Sequence, residues 1–246
     1  MALLRYTEDC LNAGQGRWPA SGLGGWADLA PNPNAPRRPD RPKSIRVFEN
    51  GFVEKVFAQA HPITPIIWFG PFIGWGIYRG VDRLGVAATI GVFLAGWLAW
   101  TFIEYLLHRF LFHIGAHDEK SRFRAFMMHG YHHEFPNDKM RLVAPPLMSW
   151  TIAVPVFLLY YFALGPTTGV TLFAGTATGY VAYDWIHYYA HHFRPSTRFG
   201  KWIKSYHLLH HFDELHGTKR YGVSSPIWDL VFGTFAPVRP RSSSTG

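Results

Sequence analysis

The feature that most constrains the fold of this 246-residue chain is a set of long segments without charged side chains. No charge interrupts residues 84–103, which are twenty residues long, or residues 142–181, which are forty residues long. A helix needs roughly 20 apolar residues to cross about 30 Å of hydrocarbon. Gly165-Pro166 near the middle of the longer segment is typical of a turn. This segment therefore divides into two predicted helices of about membrane length.

A shorter uncharged run at residues 63–78 supplies a fourth predicted span, of marginal length. Charged residues make up 16% of the chain, against about 25% in an average soluble protein. The alternative is four buried helices of a large soluble protein, but a chain this short has no shell to cover them. We predict an all-α, multi-pass integral membrane protein with four transmembrane helices in two hairpins.

Lys and Arg are concentrated before residue 63, between residues 108 and 141, and after residue 191. Because cationic loops remain in the cytoplasm, these three segments are predicted to face it. The formal charge of +8 would fit a nucleic-acid binder, yet the apolar runs spread the basic residues into loops. Anionic lipid headgroups are therefore the expected partner, with no nucleic acid. The expected membrane is a bacterial inner membrane or the endoplasmic reticulum.

The two ends of the chain differ in composition from its centre. Residues 11–42 are rich in Gly, Pro, Asn and Arg, and residues 239–246 contain only Arg, Pro, Ser, Thr and Gly. We therefore predict a flexible arm at 1–43, one domain at 44–238 and a disordered tail at 239–246. The single cysteine, Cys10, excludes an internal disulfide and an iron–sulfur cluster on thiolates.

Ten of the 14 histidines fall in four clusters at the cytoplasmic ends of the predicted helices. They are His108, His113, His129, His132, His133, His187, His191, His207, His210 and His211. A helix places positions i, i+3 and i+4 on one face, so each His-x-x-His-His triplet can converge. His187 lies one turn before His191. His108 and His113 are five residues apart and share a face only if the helix loosens there.

Imidazole is a common ligand of Fe, Zn, Cu and Ni, and ten imidazoles are too many for one ion. We predict that all ten are metal ligands and catalytic residues of a di-metal centre. A pH sensor or a haem protein with two axial histidines is the alternative, but haem does not require triplets on one helical turn. His61, His117 and His216 are interpreted as interface side chains. For His192 the ligand and non-ligand interpretations both remain open.

Four carboxylates lie beside the histidine clusters. Glu104 is one turn before His108, Asp184 is three residues before His187, and Glu134 and Asp213 follow the two triplets. Ligating imidazoles commonly donate their second N–H to a carboxylate or a carbonyl. An ionisable residue at membrane depth is functional by default, which favours Glu104 and Asp184. We predict that all four support ligands; snorkelling or an unrelated ion pair is the alternative.

The spacing of these motifs resembles that of the fatty acid hydroxylase and sterol desaturase superfamily, and within it the fatty acid 2-hydroxylases. The resemblance covers roughly residues 44–234, and the stretch FPNDKMRLVAPP distinguishes the 2-hydroxylases from their sterol-acting relatives. It rests on EYLLHRFLFH (104–113), MHGYHHEFPNDKMRLVAPP (128–146), YDWIHYYAHH (183–192), YHLLHHF (206–212) and YGVSSPIWDLVFGT (221–234). The segment around His216 departs from the family pattern.

The resemblance implies a cytoplasmic, helical, His-rich cap that holds two Fe ions above four membrane helices, with Zn able to occupy the sites in purified protein. It implies hydroxylation at C2 of a long-chain fatty acid, or of the N-acyl chain of a ceramide-type lipid, with dioxygen and two electrons. The His-Pro-Gly-Gly signature of the cytochrome b5 domain that many relatives carry does not occur in this sequence. A separate electron donor of the cytochrome b5 or ferredoxin type is therefore expected.

Two alternatives for the function remain open. The same chemistry could act on a carotenoid, a sterol or an alkane. A protein of another class, a non-catalytic metal-binding membrane protein, would need polar ligands along the spans themselves. The apolar runs carry almost none away from the cytoplasmic end.

Overall fold

The structure is a computed structural model that describes residues 44–113, 118–212 and 218–238. All regular secondary structure within these ranges is helical. The predicted arm at 1–43 and the predicted tail at 239–246 lie outside the described residues. The elements are α1 (Gly51–Phe57), α2 (Thr64–Leu84), α3 (Val86–Leu106), the π-helical turn π1 (Leu107–Phe112), α4 (Glu119–Ala125), the π-helical turn π2 (Phe126–Gly130), α5 (Tyr131–Glu134), α6 (Pro146–His192), α7 (Arg198–Phe212) and α8 (Ile227–Val231).

Helices α2 and α3 form a hairpin around a single glycine. Gly85 has a φ of +79°, a left-handed conformation that residues with a side chain rarely adopt. Its carbonyl accepts the hydroxyl of Thr89 at 2.7 Å, in the first turn of α3. Pro65, in the first turn of α2, lacks the N–H that would have no helical partner there.

Helix α6 is divided by a second left-handed glycine. Gly165 has φ +81° and ψ 172°, and Pro166 follows it, so residues 146–164 and 166–192 are two helical halves. A Cβ at Gly169 would lie 2.2 Å from the carbonyl oxygen of Tyr160, so the halves approach closely beyond the turn. The division at Gly165 predicted from the sequence is therefore confirmed.

The described helices include two that are long and apolar enough to cross a membrane, Val86–Phe112 and Pro146–His192. Large apolar side chains point outward along them, including Val86 (62% exposed) and Phe162 (78% exposed). Contact with lipid favours an apolar outer surface. Helices suit this environment because they satisfy their own backbone groups.

Helix α3 and the second half of α6 pack against each other through small residues. A Cβ at Gly96 would lie 2.1 Å from the carbonyl oxygen of Leu172, and one at Gly175 would lie 2.0 Å from that of Phe93. The hydroxyl of Thr176 donates to the Gly96 carbonyl at 3.0 Å. Small residues of this kind allow two backbones to approach closely in a membrane. The contact fixes the spacing of two helices that lead to histidines, α3 through π1 and α6 at its own end.

The segment before α2 is attached to the loop after α5 by a buried ion-pair network. Glu54 accepts the backbone N–H groups of Val47 and Phe48 at 3.0 and 2.8 Å and pairs with Arg141. Arg141 also pairs with Asp138 at 2.7 Å. The network holds residues 44–58 against the histidine-bearing part of the molecule.

Candidate metal centre

The ten clustered histidines come together in two groups of five, which we call group 1 and group 2. Within each group the ligand nitrogens all lie within 4.8 Å of one another. Group 1 consists of His108, His113, His129, His133 and His210. Group 2 consists of His132, His187, His191, His207 and His211.

The sequence suggested that each histidine triplet could converge on one point. In the structure each triplet instead contributes histidines to both groups. In the first triplet His129 and His133 belong to group 1, whereas His132 belongs to group 2. The second triplet divides in the same way with the groups exchanged. At 3.6 residues per turn, positions i and i+4 lie about 40° apart and position i+3 lies about 60° to the other side. One helical face can therefore serve two neighbouring sites.

The π-helical turn π1 brings His108 and His113 to the same side of the helix. The backbone N–H of His113 donates to the carbonyl of His108 at 3.3 Å, five residues earlier, and the ring centroids lie 5.1 Å apart. The helix thus loosens at the point where the sequence requires it. A second such turn, π2, carries His129. Single π-helical turns within helices are frequent at functional sites.

The Nε2 atoms of each group point at one another. In group 2 the Nε2 of His132 lies 2.8 Å from that of His187 and 3.1 Å from that of His211. In group 1 the Nε2 atoms of His108 and His129 are 3.1 Å apart. A ring nitrogen carries either one proton or one lone pair, so hydrogen bonds alone do not account for five converging nitrogens. A cation at the centre of each group would satisfy the lone pairs.

The buried imidazoles are held in the neutral form that a metal ion requires. Burial lowers the pKa of His129, His132, His207, His210 and His211 well below the ordinary value of 6.5, and neighbouring imidazoles lower these pKa values further. A neutral imidazole offers a lone pair without a competing proton. The donor set and its protonation state therefore fit metal ions.

The predicted supporting carboxylates are placed differently from one another. Glu104 accepts the N–H groups of Val223 and Ser224 at 2.6 and 2.9 Å and the Ser224 hydroxyl, instead of an imidazole N–H. Asp184 is buried and bonded to Tyr180. Within the described chain, one Asp184 carboxylate oxygen and Nδ1 of His187 have no hydrogen-bond partner. The predicted role of Asp184 in supporting a ligand stays a prediction.

The other predicted residues lie at the edge of the site or beyond the described chain. Glu134 is half-buried at the end of α5, and His192 is half-buried with its ring 4.5 Å from that of Tyr188. His61 is exposed, and its Nδ1 accepts the N–H of Ile63. Asp213, His117 and His216 lie outside the described residues.

Two backbone carbonyls support group 1, and sequence reasoning did not identify them. Nδ1 of His108 lies 2.5 Å from the carbonyl oxygen of Tyr221, and Nδ1 of His210 lies 2.7 Å from that of Lys219. With the proton on Nδ1, Nε2 is left as the ligand atom. A carbonyl has no sequence signal of its own. The acidic Asp229 within the short apolar helix α8 was the available signal for this loop.

An apolar cavity of about 220 Å³ adjoins the histidine groups. Its lining includes the aromatic side chains of Phe69, Trp100 and Phe173, and also His129 of group 1 and His132 of group 2. Ligand cavities that are largely apolar with a few convergent polar groups are the usual form of a small-molecule site. The cavity could hold part of an apolar chain beside both histidine groups.

The fold and site together indicate the class: over the described residues, a helical protein with long apolar helices, two histidine groups able to hold metal ions and an adjoining apolar cavity. Within that class the chain belongs to the fatty acid hydroxylase family. The family model described as fatty acid hydroxylase matches residues 93–234, which is more than half of the chain. The family resemblance predicted from the motifs is thus confirmed, and with it a hydroxylating oxidoreductase.

Relatives with assigned activities cover most of the chain. The dihydroceramide fatty acyl 2-hydroxylase FAH1 of Arabidopsis thaliana is 37% identical over 198 residues, which cover 80% of this chain and 82% of the relative. The fatty acid 2-hydroxylase of Homo sapiens is 34% identical over 222 residues, covering 81% of this chain and 59% of the relative. A solved structure, full-length scs7p with only the hydroxylase domain visible, has a TM-score of 0.70 and 32% identity, covering 78% of this chain and 74% of that one.

Proposed function

We propose that the protein hydroxylates C2 of a long-chain fatty acyl group, either as the free acid or as the N-acyl chain of a ceramide-type lipid. The observation that carries this proposal is the apolar cavity that ends at two groups of five imidazoles. The names of the relatives support C2 of the acyl chain as the position, because they include a dihydroceramide fatty acyl 2-hydroxylase and a fatty acid 2-hydroxylase.

The ten clustered histidines are proposed to hold two iron ions, five ligands to each, with zinc able to replace iron in purified protein. Bound iron would supply the activation of dioxygen, with two electrons from a separate donor of the cytochrome b5 or ferredoxin type. The donor set supports this assignment because imidazole suits both Fe and Zn. A metal-binding protein without a reaction would have no use for the adjoining apolar cavity.

The chain's own contribution is to position one carbon of a flexible acyl chain and to exclude water from it. The aromatic wall formed by Phe69, Trp100 and Phe173 shields the cavity and restricts where an acyl chain can lie. Holding a reactant in one geometry supplies a large part of an enzyme's rate enhancement. Cofactor chemistry of this kind depends on the protein for that orientation.

Four transmembrane helices are proposed from α2, α3 and the two halves of α6, with the histidine groups on the cytoplasmic side. The hydroxylase domain is proposed to extend over 44–238. Three observations support this arrangement: the left-handed glycines Gly85 and Gly165 divide the helices into two hairpins, the outward faces are apolar, and Lys and Arg are concentrated at the histidine-bearing end.

Product analysis tests the proposal. Cells that express the chain aerobically should accumulate 2-hydroxy fatty acids, measured by mass spectrometry after the lipids are hydrolysed. Cells that express His132→Ala should not. A new hydroxyl group in the carotenoid, sterol or alkane fraction, with unchanged acyl chains, would instead favour those substrates.

Metal analysis tests the di-metal centre independently of the substrate. Purified protein should contain two metal ions per chain, measured by elemental analysis against protein mass. One ion per chain, or the absorbance of haem, in folded protein would contradict the assignment.

A further inference from the structure

The loop at residues 219–224 supports only one of the two histidine groups. Its carbonyls at Lys219 and Tyr221 accept Nδ1–H groups of His210 and His108, both in group 1. In group 2, by contrast, Nδ1 of His187, His207 and His211 has no hydrogen-bond partner among the residues that the structure describes. Displacing the loop should therefore affect group 1 before group 2.

The carboxylate of Asp229 holds this loop through backbone hydrogen bonds. It is completely buried and binds four donors. Its Oδ1 accepts the N–H of Tyr221 at 2.9 Å and the hydroxyl of Thr234 at 2.7 Å. Its Oδ2 accepts the N–H of Gly222 at 2.8 Å and the hydroxyl of Tyr206 at 3.2 Å. The same peptide segment that directs a carbonyl at His108 is therefore held through its amide groups by one carboxylate.

The loop is under backbone strain and requires such a restraint. Arg220, between the two supporting carbonyls, has a φ of +62°. For a residue other than glycine this conformation is strained and persists only where the surroundings enforce it. A Cβ at Gly222 would lie 2.0 Å from the carbonyl oxygen of Ser225, so the chain is tightly folded there. Glu104 holds the far side of the loop at Val223 and Ser224.

We propose that Asp229 is a positioning residue for group 1: by holding the amides of Tyr221 and Gly222 it directs the Tyr221 carbonyl at His108 and so orients the ligand nitrogen of that ring. The proposal rests on the di-metal centre proposed above. Outer partners of ligating histidines change metal affinity by about 10- to 100-fold when they are removed. The expected effect of losing Asp229 is a decrease of that size at group 1, with group 2 unaffected.

Glu54→Gln is a matched control for Asp229→Asn. Glu54 is also a buried carboxylate that accepts two consecutive backbone N–H groups, those of Val47 and Phe48. It also pairs with Arg141, and its hydrogen bonds in the described structure include none to a histidine. Both substitutions preserve shape and one acceptor oxygen and remove the charge. A merely structural effect of losing a buried carboxylate would appear in both variants.

The experiment compares the two groups separately by titrating metal-free protein in detergent with Co²⁺ and following binding by absorbance and calorimetry. His132→Ala leaves five imidazoles in group 1 and four in group 2, and His210→Ala leaves five in group 2 and four in group 1. Adding Asp229→Asn should weaken Co²⁺ binding to the five-imidazole site 10- to 100-fold in the His132→Ala background and leave binding to the five-imidazole site unchanged in the His210→Ala background. Glu54→Gln should leave both unchanged.

Equal Co²⁺ affinity with and without Asp229→Asn in the His132→Ala background would overturn the proposal, as would an equal loss in both backgrounds. If Asp229→Asn does not fold, Thr234→Val, which removes one donor to the carboxylate, provides the same comparison with a smaller expected loss at group 1 only. An equal effect of Thr234→Val on the two groups would then overturn it. Wild-type protein that binds fewer than two ions would refute the di-metal centre itself, which distinguishes the two failures.

Discussion

The contact between Gly96 and Gly175 should control both stability and activity. A Cβ at Gly175 would lie 3.1 Å from the Cα of Gly96, so the two helices touch at this point. Gly96 lies twelve residues before His108, and Gly175 lies twelve residues before His187. At 1.5 Å per residue the contact is about 18 Å from those rings on both helices. The distance between the two helices at this contact therefore affects the distance between the histidines that follow α3 and those at the end of α6.

The size of the effect of Gly96→Ala follows from the distances. The new Cβ would lie 2.1 Å from the Leu172 carbonyl oxygen, and ordinary van der Waals contact begins at 3.4 Å. The obstacle is backbone, so the helices must separate by about 1 Å. Overpacking of this kind costs typically about 1–3 kcal/mol, and the higher helix propensity of Ala offsets about 1 kcal/mol of it. We expect a net loss of up to about 2 kcal/mol, and about 100-fold lower activity from a 1 Å displacement.

The assay compares thermal unfolding in detergent, metal content and hydroxylation for Gly96→Ala and Gly91→Ala. Gly91 lies in the same helix, but a Cβ there would meet nothing within 4 Å. We expect Gly96→Ala to lower the midpoint temperature by about 2–4 °C for each kcal/mol lost, and so by up to about 8 °C, whereas Gly91→Ala leaves it equal or slightly higher. If Gly96→Ala matches Gly91→Ala in midpoint temperature and in activity, the close helix contact does not set the geometry of the site.

Three further predictions concern the histidine groups and the topology. Alanine at His132 or His210 should abolish hydroxylation, measured as 2-hydroxy acyl product, whereas alanine at the exposed His61 should leave most of it; equal losses would refute the ligand assignment. Asp184→Asn should leave membrane insertion intact but lower metal affinity or turnover by about 10- to 100-fold, and wild-type metal content and turnover in that variant would show that Asp184 does not support a ligand. Protease access to tags at both termini, in sealed vesicles, should place them in the cytoplasm, and an outer terminus would refute the two-hairpin topology.

The sequence predicted the helical architecture and the site histidines because both depend on local patterns. Uncharged runs and the pair Gly165-Pro166 indicated the helices and the division of α6, since charge and backbone conformation act over a few residues. Histidine spacing indicated which residues would come together, including the need for a looser turn at His108. All ten predicted ligands lie in the two groups.

The division into two groups and the supporting contacts were not predictable in the same way. Whether His132 joins His129 or His187 depends on how α5 packs against α6, which is a tertiary property. The partners of Glu104 are 119 and 120 residues away along the chain, and the partner of His108 Nδ1 is a backbone carbonyl. Because Glu104 lies one turn before His108, the sequence suggested an imidazole as its partner. In the folded chain the loop at 219–224 packs against Glu104 and supplies its hydrogen bonds.

The most direct test of the central claim is the mass of the product formed from an acyl chain that carries two deuterium atoms at C2. Membranes that contain the iron-loaded protein would be supplied with the labelled lipid, ¹⁸O₂ and a reduced cytochrome b5 or ferredoxin. Hydroxylation at C2 predicts a product that has lost one deuterium and gained one ¹⁸O. A product that contains ¹⁸O but retains both deuterium atoms would contradict the account, because oxygen would then have entered at another carbon.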